Sequence, residues 1–254
     1  TRGQMIDRPA NSVTTVFLAQ HPDFVSILGA LTFMKFNDPQ FQNQLLTQFH
    51  SALPPQIHQS VRKRQIEFLC GRWALHQSLQ AMEINSSVPI GIRDSLPDLP
   101  PDVCGSISHS NHWAAAVVFQ KKLINQIGID LEEWFDEETC QQIGTSIATE
   151  EEVKSFATLS GDKSRILTLI FSAKEAFFKF YWPSNKTVLE FSDIKIQMKS
   201  DTELHVEGRT KDSEFFRTYS PSIRYWLFSE FVFTIAAPLN FFSNLPAHLL
   251  DPKI

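Results

Sequence analysis

The sequence predicts an α+β fold, and three observations predict it. Helical periodicity is concentrated in two long stretches, Ser60 to Met82 and Ser164 to Pro183. The strand candidates come in hairpin-spaced groups rather than alternating with helices, and no β–α–β rhythm of a doubly wound sheet is present. The 254 residues suit one large domain or two compact halves. With 43% hydrophobic and 20% charged residues the chain can fill a core, so intrinsic disorder is excluded.

Taken in order, the first fifty residues lean towards helix, with Asp38-Pro39 and Leu53-Pro54-Pro55 as turns. From Ser60 to Met82, Ile66, Leu69, Cys70, Trp73, Ala74 and Leu79 share one broad helical face. Val88 to Val103, with four prolines and Gly91, reads as a loop. Strands are predicted at Ala114–Phe119 and Gln126–Leu131, with Gln120-Lys121-Lys122 as a hairpin or a boundary between halves. Thr149-Glu150-Glu151-Glu152 is a capping box that starts a helix running towards Leu159. A longer helix runs from Ser164 until Pro183 stops it. Strands follow at Phe191–Met198, Glu203–Gly208 and the alternating Arg224–Ala236, bracketed by Pro221 and Pro238.

Composition also narrows the function. A formal net charge of −5 disfavours a nucleic-acid partner while leaving room for a local basic cradle. No apolar run reaches the ~18 residues of a membrane span, and Thr1-Arg2-Gly3-Gln4 shows no signal-peptide apolar segment. Cys70, Cys104 and Cys140 are odd in number and lack CxxC spacing, which argues against a disulfide framework and a thiolate zinc site. A soluble chain in a reducing, cytoplasmic compartment is expected. Glycine-rich phosphate loops, GxSxG and HExxH are absent.

Four motifs remain. In Gly128-Ile129-Asp130-Leu131-Glu132, strand alternation puts Asp130 and Glu132 on one face about 6–7 Å apart, with Ile129 and Leu131 in the core. Paired carboxylates suit Mg²⁺; a solvated acidic rim continued by Glu133, Asp136, Glu137 and Glu138 is the plainer reading. In Lys174-Glu175-Ala176-Phe177-Phe178-Lys179, Ile166, Ile170, Ala173, Phe177 and Tyr181 form the apolar stripe, and Glu175 and Lys179 point away from it. They are equally readable as a surface i,i+4 ion pair. Within Ser106-Ile107-Ser108-His109-Ser110, the Ser-His-Ser portion reads as a turn before a small-residue strand, where His109 could donate to a phosphate. Ser108 and His109 face opposite ways, which removes a catalytic dyad, and His109 with His112 lacks a third zinc ligand. Arg64 and Arg72 lie two helical turns apart, about 12 Å, and could bracket a polyanionic ligand or simply form a solvated face.

Together these motifs carry a resemblance. Arg-x₇-Arg, GSISHS before an alanine-rich strand, GIDLE and then FSAKEAFFK resemble the 4′-phosphopantetheinyl transferase superfamily, in its surfactin-type, enterobactin-synthetase-component-D-like branch. The resemblance covers roughly residues 60 to 183. Phe171 stands where the family often has Trp, and His112 where Gly is frequent. The resemblance implies two similar α+β halves, 1–122 binding the nucleotide of coenzyme A and 123–254 carrying the acidic motifs and docking the carrier protein, with the active site in the cleft between them. The implied activity transfers the 4′-phosphopantetheine arm of coenzyme A to a serine of an apo acyl or peptidyl carrier protein, in siderophore or other peptide assembly, and releases 3′,5′-ADP. It implies Asp130, Glu132 and Glu175 as Mg²⁺ ligands, Glu175 as base, and Lys179, supported by Lys174, as charge stabilisers. Ser108 and His109 would hold the nucleotide end, and Arg64, Arg72 and Arg93 the 3′-phosphate. A monomer suffices. The alternatives are a non-catalytic carrier-binding protein of the same fold and a Mg²⁺-dependent phosphohydrolase of nucleotide diphosphates.

Overall fold

Side-chain alternation in the strands sets the layers of this molecule. The structure, a computed structural model, describes residues 13–20, 27–86, 91–93, 96–157, 159, 162–208 and 213–243. The first half contains β1 (Val13–Gln20), β2 (Ile27–Lys35), α1 (Pro39–Phe49), α2 (Pro55–His58), α3 (Arg62–Ala81), β3 (Ile92–Arg93), β4 (Leu96–Pro97), β5 (Val103–His109) and β6 (Trp113–Gln120). The second contains β7 (Gly128–Glu133), α4 (Glu137–Ile147), α5 (Glu150–Ser155), α6 (Lys163–Asn185), β8 (Ile194–Ser200), β9 (Glu203–Gly208), α7 (Ser213–Tyr219), β10 (Pro221–Leu227), β11 (Phe231–Pro238) and α8 (Leu239–Ser243). Two antiparallel sheets result, in the orders β1-β2-β6-β5 and β7-β11-β10-β9-β8, with β3 and β4 as a separate ribbon.

Residues of alternate parity enter different cores. Leu31, Phe33, Ala115 and Val117 of the first sheet meet Ile129, Leu131, Phe233 and Ile235 of the second in a core between the sheets. Ala30, Met34, Ala114, Ala116 and Val118 face α3 and α1 on the outer side of the first sheet. Val232, Ala236, Ile223 and Leu204 face α6 on the outer side of the second. The order is helix, sheet, sheet, helix. The halves are alike: the strand before each long helix, β2 or β7, pairs antiparallel with the last strand of its half, β6 or β11. Each long helix packs on the outer face of that strand pair.

Several sequence expectations give way here. The first fifty residues are strands as well as helix: β2 lies between β1 and β6, where a largely apolar run, broken by Thr32 and buried on both sides over residues 29–34, lacks the alternation that marks a half-exposed strand. Asp38 is no turn residue but the N-cap of α1, accepting from the Gln40 N–H at 2.8 Å. Ser106 to His109 is strand rather than turn, paired with β6 from Val103↔Gln120 to His109↔Ala114. Residues 121–127 are a crossing between sheets, since β6 and β7 belong to different ones. The presumed acidic rim after β7 becomes α4, capped by Asp136 accepting from the Thr139 N–H. Arg224–Ala236 splits into β10 and β11, closed by the Phe228 N–H donating to Phe231 O. Pro183 sits within the last turn of α6, where it forfeits a single backbone donor. The helix ends two residues later, at left-handed Lys186.

The capping box at Thr149 starts α5 as the sequence predicts, although the helix stops at Ser155 instead of running towards Leu159. The stripe Ile166, Ile170, Ala173, Phe177 and Tyr181 is buried throughout. No helix among the described residues is long and apolar enough to cross a membrane.

Gly128 fixes how closely α6 approaches β7. A Cβ there would overlap the Ala176 carbonyl oxygen and the Phe180 amide nitrogen, backbone atoms that cannot rotate away. Gly128→Ala is therefore expected to destabilise the fold by about 3 kcal/mol, read from urea denaturation.

Candidate active site

A cleft of about 970 Å³ opens between the halves. Its walls come from α3, Ile92, Arg93 and residues 96–100 on one side and α6 on the other, with β5 and β7 between them. β5 and β7 are the edge strands of their sheets, so neither has a main-chain partner on the cleft side within its sheet. Serine side chains bridge them instead. Ser106 Oγ accepts from the Ile129 N–H at 3.1 Å, Ser108 Oγ donates to Asp130 Oδ1 at 2.7 Å, and Ser110 Oγ donates to Glu132 Oε2 at 3.1 Å. The spacing of two puts Ser106 and Ser108 on one face of β5, and Ser110, just past its end, continues in the same direction.

Asp130 is only 2% exposed. Its Oδ1 also receives Lys179 Nζ from α6 at 2.8 Å, and Lys179 Nζ donates to Ser108 Oγ at 3.0 Å. Its Oδ2 is buried with no hydrogen-bond partner among the described residues. Burial and then the Asp130 charge raise the Glu132 carboxyl to about 8, against the opposing pull of Ser110. The same two causes raise Glu175 above the ordinary carboxylate range. Three acids therefore share one poorly solvated region with a single close ammonium group.

That donor set fits a hard divalent cation, because an orphaned buried carboxylate oxygen and two strained glutamates call for added positive charge. The coordination shell is not assembled, however. Among the described residues no group of three or more His, Cys, Asp and Glu side chains is gathered closely enough to hold an ion. The charge neutralising Asp130 is Lys179.

Across the cleft, His109 points the opposite way from Ser108, and its Nε2 accepts from Arg64 Nη1 at 2.8 Å. Burial, then the Arg64 and Lys179 charges, lower its pKa to about 3, so it is neutral at physiological pH. Glu67 lies 3.8 Å from both His109 Nδ1 and the Arg64 guanidinium. Arg72 is buried against the Phe68 ring, with its Nε unpartnered among the described residues; burial and then Arg64 lower it to about 10. Arg93 is largely exposed on the rim and paired with Asp98 at 2.7 Å.

The structure thus gathers Arg64, Arg72, Arg93, Ser108, His109, Asp130, Glu132, Glu175 and Lys179 around one cleft. Ser108 turns to Asp130 and Lys179 rather than outwards to a nucleotide. Lys174 does not join them. It is 1% exposed, forms an ion pair with equally buried Glu152 at 2.8 Å, and donates to the carbonyls of Ile147 and Phe191. One residue before Glu175 is about 100° around the helix, which directs Lys174 into the body of the second half. Sequence reasoning missed Ser106 and Ser110, although their i,i+2 spacing with Ser108 was legible. It also missed Lys121 and Lys186, which line the cleft and carry no motif.

The profile of the 4′-phosphopantetheinyl transferase N-terminal domain matches residues 52–119, and that of the 4′-phosphopantetheinyl transferase superfamily matches residues 126–236. Enterobactin synthase component D of Escherichia coli strain K12 is 38% identical over 151 residues, which is 59% of this chain and 69% of that protein. The chain belongs to the 4′-phosphopantetheinyl transferase superfamily. It is similar also to enterobactin synthase component D of Salmonella typhi, at 33% identity over 56% of this chain and 58% of that protein. The 4′-phosphopantetheinyl transferase Npt of Nocardia iowensis is 28% identical over 64% of this chain and 78% of its own length. As a phosphopantetheinyl transferase the chain acts on coenzyme A and carrier-protein domains.

The two lysines of the helix motif should respond differently to substitution. Lys174→Ala leaves Glu152 buried without its cation and is expected to cost about 3–5 kcal/mol of stability. Burial works to raise the Glu152 carboxyl, but bonds from Lys174 and from the Thr149 and Ile196 N–H groups hold it below its ordinary range. Its contribution is full above the unfolded value near 4.5 and is lost as pH falls through the folded value. Lys174→Ala should flatten that acid-side dependence in denaturation curves. Lys179→Ala should abolish turnover and, by leaving buried Asp130 without its cation, also lower the melting temperature, a loss that adding Asp130→Asn should partly reverse.

Proposed function

We propose that this cleft transfers phosphopantetheine with Mg²⁺ as its metal, acting on the peptidyl carriers of siderophore or related assembly lines. The observation that carries the reading is the meeting of Lys179 with Asp130 at the seam of the two halves, with Arg64 and Arg72 on the opposite wall. Residues 1–122 would take the nucleotide, with Arg64 and Arg72 on the 3′-phosphate and Arg93 at the rim. Residues 123–254 would hold the diphosphate and receive the carrier. The siderophore assignment comes from the relatives named enterobactin synthase component D. Free cysteines and a cleft built within one chain support a cytoplasmic monomer.

The chemistry is a displacement at phosphorus. The carrier serine oxygen forms a bond to the phosphorus that bears pantetheine, the diphosphate bridge breaks, and 3′,5′-ADP leaves with the bridging electron pair. Glu175 takes the serine proton directly or through water. Lys179 leans towards the charge developing on the bridge, and Ser108 keeps Asp130 turned into the cleft. Arg64, held in place by neutral His109, and Arg72, backed by Phe68, fix the nucleotide end. Asp130, Glu132 and Glu175 would hold Mg²⁺, which when bound neutralises the diphosphate and lowers the cost of crowding its charge against three acids.

Incubation of an apo peptidyl carrier with coenzyme A and Mg²⁺ should add one phosphopantetheine by intact mass, and chelation should stop it. Asp130→Asn should reduce loading at least about a thousandfold in a chain that still folds. Release of free phosphopantetheine without any carrier would overturn the transferase reading in favour of a hydrolase. Arg72→Gln should raise KM for coenzyme A by about tenfold or more while leaving KM for dephospho-coenzyme A within twofold, because only the former carries the 3′-phosphate.

A further inference from the structure

Glu132 lies on β7 two residues after Asp130, which takes the Lys179 ammonium group. The Glu132 carboxylate is also held, and the holder belongs to the other half. Ser110 sits at the start of the turn that joins β5 to β6, and its main-chain N–H donates to Trp113 O at 2.8 Å. Its side chain crosses to β7, where the hydroxyl accepts from the Glu133 N–H at 3.2 Å and gives its proton to Glu132 Oε2 at 3.1 Å. The same turn grips β7 a second time, the His112 N–H donating to Glu133 Oε1 at 2.8 Å. Lys63 of α3 braces the turn from behind by donating to Asn111 Oδ1 at 2.6 Å. A hydroxyl has one proton and an ionised carboxylate can only accept, so between Ser110 and Glu132 the proton is given by the serine.

We propose that Ser110 is a positioning residue for the transfer reaction, fixing the Glu132 carboxylate from across the seam so that it faces the cleft as a cation ligand. Ser110 is not among the residues that line the cleft, so it acts through Glu132. The inference rests on the reading of Asp130, Glu132 and Glu175 as the Mg²⁺ ligands. Ser110 differs in this from Ser108, whose hydroxyl is shared between Asp130 and Lys179, and from Ser106, which meets only backbone.

The test is a Mn²⁺ titration followed by electron paramagnetic resonance, with and without coenzyme A, on the full chain and without turnover. Ser110→Ala should weaken Mn²⁺ binding by roughly tenfold, the size expected when one hydrogen bond to a charged group is lost. Its melting temperature should stay close to that of the wild type, and at saturating metal KM for coenzyme A should change less than twofold. Ser110→Thr, which keeps the hydroxyl, should restore Mn²⁺ affinity. Should the alanine variant fail to fold, Ser110→Cys keeps the volume with a weaker donor and should show the same direction of change. Unchanged Mn²⁺ affinity in a folded Ser110→Ala or Ser110→Cys, beside a wild type that binds, would overturn the inference alone. A wild type that takes up no Mn²⁺ even with coenzyme A present would overturn the metal reading, and this inference with it.

Discussion

The burial of Asp130 is the constraint around which this molecule is arranged. A carboxylate removed from water must be compensated, and the means come from both halves: a hydroxyl from β5 and an ammonium group from α6 converge on one of its oxygens. The other oxygen has no donor among the described residues. Glu132 and Glu175, close enough to feel the Asp130 charge, deepen the deficit of positive charge. The site is therefore electrostatically incomplete in the protein alone, and phosphoryl chemistry favours that condition because binding energy is released where charge is lacking.

The fold supports this incompleteness by making everything around it rigid. One side of α6 is a continuous apolar spine, Ile166, Ile170, Ala173, Phe177 and Tyr181, packed against β11 and the strands beyond it. The cleft side of the same helix presents Glu175 and Lys179. Lys174 ties the helix to α5 through Glu152, and Gly128 lets it lie directly on β7. The cleft side chains of α6 consequently inherit their positions from core packing, not from a loop.

How much of this was legible depended on what each residue answers to. The α3 and α6 helices, the β7 alternation and the Thr149 capping box follow from local periodicity and hydrogen bonding, and they are where the pattern put them. Strand β2 was hidden because both its faces are buried, which removes alternation, and β5 was hidden because its inward residues are serines. Their reason lies in carboxylates more than twenty positions away, which no local pattern encodes. Lys174 failed for a related reason: adjacency to Glu175 in the chain says nothing about which side of the helix faces the cleft. The convergence of Arg64, Arg72, Asp130 and Lys179 was readable only from motif order, because it depends on two sheets meeting.

The serine bridge has a consequence outside chemistry. β5 and β7 are open edges, and an open edge is a template onto which a strand of another molecule can add. Here each edge is turned towards the other and its polar groups are engaged by short side chains, so neither is offered to a neighbouring chain. The same hydroxyls that join the halves thereby keep these two edges from acting as templates for a strand of another molecule.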